Sequence, residues 1–375
     1  MVAGAASVLP IWPYSVTVMA HGGTTMRYLA GLLFLMMLAL PGRAAAIPPT
    51  APAVLERLAA VPDGFSGIVG AWRDGRPVHL SAHGEGGSPF RAVRWASVTK
   101  SVTAVLVLQE VDAGRLSLDA PVSTYLPDWP VNGDATLRQL LMHTSGLADL
   151  SATPDADGDG MADVYQGQGP GWRALCEGPA RASAGSGFTY NNCDYRVLGL
   201  VLEAVTGEDF ETLVRTRISE PLGLRSVRLA ANEPVSEAFD GTRPEPLIDV
   251  SVYGPAGALY GSVEALLAFD QALMDGRLIS DAARAEMWKA SPETGYGGLS
   301  VWVFPVTLTV CGVQTRVVER QGAIGGVQVR NLILPDLDVA VVLWTDQATL
   351  DLGQTWSGEG LTIDLLGAVV CGQGG

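Results

Sequence analysis

The chain has 375 residues, 48% of them hydrophobic and 17% charged, with a formal net charge of −15. So apolar a composition excludes a disordered chain, and the acidity argues against binding to DNA or anionic lipid surfaces. Four cysteines without a Cys-x-x-Cys pair speak against a zinc or thiol-redox centre.

Residues 1–46 read as upstream residues and a signal peptide, with Met26 as the expected start. Met26-Arg27 precedes an apolar run over 29–40 that is too short to span a bilayer, and Ala44-Ala45-Ala46 ends in a small-x-small cleavage pattern. Cleavage after Ala46 and export, to the periplasm or outside the cell, are expected; an uncleaved anchor is the competing reading. Residues 47–62 form a Pro- and Ala-rich linker with a short helix, and 63–372 one folded domain. Two apolar runs, 67–72 and 77–82, flank Asp74-Gly75, a hairpin signal.

The stretch 94–110 is apolar in its second half and free of Gly and Pro, so it predicts a buried helix. Ser97 and Lys100 stand at i and i+3, on one face of its first turn. Free amide N–H groups and the positive dipole end lie beside them. Only two of the 24 Lys and Arg residues are lysines. A lysine here suits a group that gives up its proton when desolvated, which a guanidinium does not. The bland alternative is a solvated lysine early in an ordinary helix.

Helical segments dominate to about residue 275, including 137–142, 195–205 and 263–274. Residues 151–170 are the clearest long loop. Within it Asp155, Asp157, Asp159 and Asp163 match positions 1, 3, 5 and 9 of a calcium loop, with Gly160 at 6 and the Met161 carbonyl at 7. Gln166 stands where Glu is usual, so a solvated acidic loop is the other reading. Structural calcium is the one cofactor indicated, and catalysis needs none. Residues 298–304, 307–314, 316–319, 327–334 and 339–345 read as strands, with a final helix near 361–370. The fold class expected is α/β, more narrowly α+β: an antiparallel sheet built from both termini and flanked by helices, with a helical lobe inserted. Of the three disulfide pairings, Cys176–Cys193 with Cys311–Cys371 is preferred and the others stay open.

Further motifs follow in order: Thr136 to Leu147 with its His143-Thr144-Ser145-Gly146, then Tyr190-x-Asn192, the segment 218–224 ending in Pro-Leu-Gly-Leu, and Pro255-Ala256-Gly257-Ala258-Leu259. With Ser97-x-x-Lys100 ahead of them, the chain resembles the serine β-lactamase-like hydrolases over residues 52–346. These include class C β-lactamases, D-alanyl-D-alanine carboxypeptidases and related esterases. The resemblance implies a β-lactamase/DD-peptidase-like fold for 63–372 and a serine hydrolase acting through a Ser97 acyl-enzyme. Lys100 would lower the proton affinity of Ser97, Tyr190 would relay the proton to the leaving group, and Asn192 would bind substrate and hold Lys100. The implied partner is a small-molecule or peptide-like ester, amide or β-lactam. No nucleic acid is implied, and no stable membrane span after processing.

One element departs from the pattern. Relatives carry Lys or His, then Thr, Ser or Gly, then Gly; this chain has Arg320-Gln321-Gly322. Gly322 would admit a substrate backbone, and the Ala323 N–H would join that of Ser97 as an oxyanion hole. Arg320 would clamp a substrate carboxylate in bidentate fashion, the alternative being a strand-end charge facing solvent. The departure weighs against β-lactam specificity. It also motivates a rival reading, a catalytically weak binding protein for peptidoglycan-like ligands. No Gly-x-Ser-x-Gly elbow is present, and His143 is expected to be structural.

Overall fold

A computed structural model describes residues 51–61, 64–84, 87–233, 235, 237–240, 243–290 and 295–372. The expected start, leader and cleavage site, and the beginning of the linker, lie outside the described residues. The linker's helix is α1 (Ala51–Ala59). The predicted hairpin forms β1 (Gly67–Arg73) and β2 (Arg76–His83). Asp74 and Gly75 take φ of 48° and 67°, the paired left-handed turn that matches strand twist.

The main helices between the termini are α2 (Thr99–Asp112), α3 (Cys193–Thr206) and α4 (Val263–Met274). Four strands then follow: β3 (Trp302–Leu308), β4 (Val313–Ile324), β5 (Val327–Leu334) and β6 (Val339–Thr345). Helix α5 (Leu361–Cys371) ends the described chain. The six strands make one antiparallel sheet in the order β2-β1-β6-β5-β4-β3. Closure of N- and C-terminal parts occurs where Gly67 lies opposite Thr345 and Arg73 opposite Val339.

Both sheet faces are covered, which is why β6 reads as an unbroken apolar run instead of an alternation. Val341 and Leu343 point with Val69 and Ala71 into a core under α1 and α5. Val342 and Trp344 point the other way with Ile68, into the larger core holding α2 and α4. Helix α2 is buried from Thr99 to Leu108 and so carries apolar residues all round. Ser262 caps α4 by accepting from the Ala265 N–H, and Thr136 and Gln139 make a capping box for the helix Leu137–Leu141.

The late strands differ from their predicted limits. The strand expected at 298–304 begins only at Trp302, after Ser300 takes a φ of 77°. The run 307–314 is divided by a turn at 309–312, where Gly312 has φ of 69° and Cys311 is bonded to Cys371. Residues 316–319 belong to β4, which continues through Arg320, Gln321, Gly322 and Ala323. The second disulfide joins Cys176 to Cys193, so both bonds follow the preferred pairing. Among the described residues no helix is long and apolar enough to cross a membrane.

Candidate active site

Ser97 sits in a short 3-10 turn, Ala96–Val98, that runs into α2. Ala96 has φ of 48°, a left-handed conformation that costs an alanine energy and persists only where packing enforces it. The enforcing neighbours are identifiable. Val93 and Arg94 pair with the strand Leu259–Gly261, fixing the chain before the turn. Arg94 is fully buried, donates to both carboxylate oxygens of buried Glu245 and to the Ile324 carbonyl, and thereby ties the turn to the end of β4. On the far side β4 presses Gly322 against it. A Cβ at Gly322 would lie 2.8 Å from the Trp95 carbonyl oxygen and 3.1 Å from the Ser97 nitrogen. The glycine therefore makes room for the serine's own turn, where the sequence led us to expect room for a substrate backbone. Ala323 follows as an exposed residue on the same strand.

Lys100 is completely buried one helical turn below Ser97. Its Nζ lies 2.8 Å from Asn192 Oδ1, 2.8 Å from the Ala256 carbonyl oxygen and 3.2 Å from Ser97 Oγ. Burial, helped by the Arg320 charge, lowers its pKa to about 8, against an opposing pull from Tyr190 and Asp149. An uncharged amine has two N–H groups and one lone pair. Donating both to the closer acceptors, Asn192 and Ala256, turns the lone pair toward Ser97 Oγ.

Tyr190 completes the constellation, its Oη 2.7 Å from Ser97 Oγ. Burial alone would raise its pKa, yet the Lys100 and Arg320 charges outweigh burial and hold the phenol below its ordinary value. Arg320 is 2% exposed, and all three of its nitrogens donate inside the protein. Nε donates to the Ser97 carbonyl (3.0 Å), Nη1 to the Ser300 carbonyl (2.9 Å) and Nη2 to Tyr190 Oη (3.2 Å). The guanidinium thus faces neither solvent nor open cleft, and the left-handed Ser300 presents its carbonyl to it.

His143 is a buried support, as the sequence indicated. Its ring packs 4.4 Å from that of Tyr190, and Nδ1 is 3.2 Å from Asp194 Oδ2. Burial, with the nearby Arg320 and Lys100 charges, keeps the imidazole pKa well below its usual value. Asp194 also accepts from Ser145 Oγ and Asn191 Nδ2.

Three supports escaped the sequence reading. Tyr165 Oη accepts from Asn192 Nδ2 at 2.8 Å and its ring stacks on Tyr253 at 4.0 Å. Asp149 accepts from the Asn192 backbone N–H at 3.1 Å. The third is the left-handed Ala96. A signal existed only for Tyr165, where Val164-Tyr165 interrupts an otherwise polar loop.

In that loop the side-chain oxygens of Asp155, Asp157 and Asp159 lie within 4.8 Å of one another, and all three residues are exposed. Asp155 accepts from the backbone N–H groups of Gly158, Asp159 and Gly160. Asp163 falls outside this trio and accepts from the Ala156 N–H, while Met161 is nearly buried. The loop reaches the Ser97 centre through Tyr165, whereas the hydrogen bonds of Asp155 and Asp163 described here stay within the loop.

A two-faced antiparallel sheet covered by helices, with a serine, a buried lysine and a tyrosine converging at the start of a buried helix, defines the β-lactamase/DD-peptidase class of fold. The chain belongs to the beta-lactamase family, whose model matches residues 55–356. Over 270 residues it is 30% identical to a putative penicillin-binding protein of Bacillus subtilis (strain 168), covering 67% of this chain and 65% of that protein. It is 32% identical over 203 residues to an esterase of Burkholderia gladioli, covering 47% of this chain and 50% of the relative. The match thus spans less than two thirds of either relative's length. A D-stereospecific amidohydrolase from Streptomyces sp. superposes with a TM-score of 0.70 at 25% identity, covering 86% of this chain and 99% of that one.

Proposed function

We propose that the protein is an exported serine hydrolase that forms an acyl-enzyme at Ser97 on small esters or amides. The observation that carries this reading is the placement of Ser97 Oγ between Tyr190 Oη (2.7 Å) and Lys100 Nζ (3.2 Å), both groups having lowered proton affinity. Ser97 Oγ attacks the carbonyl carbon and its proton passes to the Lys100–Tyr190 pair. The Ser97 and Ala323 N–H groups receive the oxyanion. Tyr190 returns the proton to the departing alcohol or amine, and water then cleaves the acyl-enzyme by the same relay. Asn192 orients Lys100 through its Oδ1.

Arg320 is assigned to this relay as a positioning group, because its nitrogens are engaged by Ser97, Ser300 and Tyr190. With that guanidinium turned inward, substrates lacking a carboxylate are the better candidates. An esterase and an amidohydrolase among the relatives support an ester or amide, and a penicillin-binding relative keeps a β-lactam among the substrates to be tested. Two disulfides support export, since such bonds persist in oxidising compartments. A panel of p-nitrophenyl esters, amino-acid amides, nitrocefin and D-Ala-D-Ala peptides tests the reading. Turnover of neutral esters or amides that Ser97→Ala abolishes is expected. Saturable binding of peptidoglycan fragments without turnover of any panel member would favour the rival binding protein.

A further inference from the structure

Behind the Ser97 centre, on the other side of the segment 254–256, lies a second cavity of about 370 Å³. Trp172, Leu200, Phe210 and Pro255 make its apolar walls, and Arg196, Glu203, Asp209 and Glu211 bring charge to it. Arg196 is the unusual member. Its guanidinium carbon lies 3.6 Å above the Trp172 ring, and its Nη1 fills the place a Cβ on Gly254 would need, at 1.7 Å from that position. Gly254 has φ of 47°, so only glycine suits both the backbone and the arginine there. Nε is buried with no hydrogen-bond partner, and no described residue makes an ion pair or hydrogen bond with the guanidinium. Arg196 is half-buried, stacked on Trp172 and without a carboxylate partner among the described residues, so an anion reaching its outer nitrogens would gain a charge-assisted hydrogen bond.

The nearest carboxylate does not join it. Glu203 acts on Arg196 through space yet makes no ion pair with it, although the two share α3 seven residues apart and open into the same cavity. Asp209 is engaged in accepting from the Thr212 N–H. One unpaired cation thus faces carboxylates across an apolar gap. A plain anion would be attracted by Arg196 and repelled by Glu203 and Glu211. A molecule carrying a carboxylate and an ammonium on a short apolar body satisfies both ends.

We propose that this cavity binds a small zwitterion of the apolar α-amino-acid class, its carboxylate on Arg196, its ammonium toward Glu203 and its side chain against Trp172 and Phe210. The volume falls in the range of small-ligand pockets. The floor of the site, Gly254-Pro255, continues into Ala256, whose carbonyl accepts from the candidate catalytic Lys100.

Isothermal titration of the full chain with leucine, 4-methylpentanoate and 3-methylbutylamine tests the proposal. Leucine is expected to bind one site, and each of the other two, lacking one charge, about tenfold or more weakly. Arg196→Met is expected to abolish leucine binding. Glu203→Gln, at a half-buried residue, is expected to weaken leucine while leaving 4-methylpentanoate no weaker, which keeps the test open if Arg196→Met fails to fold. No leucine binding up to about 10 mM, equal affinity for the three probes, or leucine binding unchanged in Arg196→Met or in Glu203→Gln would each overturn it.

Discussion

At Lys100, two carbonyl-type acceptors at 2.8 Å and a pKa of about 8 produce an amine whose free lone pair has one direction left, toward Ser97. Lys100 and Tyr190 share one relay, so the pH–rate profile reports the pair and not either group alone. kcat/KM is expected to rise with pH through that shared titration. Arg320→Gln removes a cation that lowers the proton affinity of both, so the rising limb should move to higher pH. A one-unit shift is a factor of about ten in the protonation equilibrium, and neutral and carboxylate-bearing substrates should slow alike. A loss confined to carboxylate-bearing substrates would restore the carboxylate clamp first expected of Arg320. Tyr190→Phe removes the proton donor to the leaving group and should cost about 10²–10⁴ in kcat, read by steady-state kinetics with the fold checked by circular dichroism.

A second residue-scale cluster bears on stability. Ser81 Oγ lies 2.7 Å from His79 Nε2 and 2.9 Å from His83 Nε2, along one face of β2. Burial lowers both histidine pKa values, and the His83 charge adds to the effect on His79. The folded chain therefore takes up these protons less readily than the unfolded chain. The contribution is whole above about pH 6.5 and is lost as pH falls through the lowered folded values. The variant His79→Gln/His83→Gln should lose less Tm than the parent between about pH 7.5 and about pH 5. Equal acid sensitivity of parent and variant would refute this. The site's core, Ser97, Lys100, Tyr190 and Asn192, was legible because each lies in a short local motif. The inward turn of Arg320 and the role of Tyr165 were not, because both depend on partners more than 20 residues away along the chain.

Among the elements, β4 decides how the serine is presented. Gly322→Ala would drive a Cβ to 2.8 Å from the Trp95 carbonyl and should displace the turn carrying Ser97. A misplacement of this kind costs about 10² in rate. Such a loss, with a Tm lowered by only a few degrees, is expected. Full activity in Gly322→Ala would show that the close contact does not position Ser97. The Cys311–Cys371 bond acts on a different element, holding α5 to the turn between β3 and β4. The variant Cys311→Ala/Cys371→Ala should lose about 2–5 kcal/mol of stability in denaturant unfolding, with kcat nearly unchanged below its transition. The same turn explains the misread strands. Val310 and Cys311 look like strand residues by composition, but Gly312 at a φ of 69° turns the chain there, and Cys311 in that turn is bonded to Cys371. The hairpin at Asp74-Gly75 was legible because its backbone demands just those residue types. Ala96 gave no such signal, since an alanine at positive φ is imposed by its neighbours.

For the whole molecule, the sheet closes only when β1 meets β6, with Gly67 opposite Thr345, 278 positions further along the chain. That closure aligns β4 with α2 and so assembles the serine, the lysine and the arginine from distant parts of the chain. Strands at both ends with helices between them made this closure legible in outline. The strands that seat Ser97, two residues at Val93–Arg94 and three at Leu259–Gly261, were too short to register. Assembly of the centre is tested most directly by mass spectrometry after treatment with a fluorophosphonate probe. A single adduct on the peptide containing Ser97, slowed strongly by Lys100→Ala and absent in Ser97→Ala, is expected. Labelling at another residue, or none on a folded protein, would contradict the claim that Ser97 is an activated nucleophile.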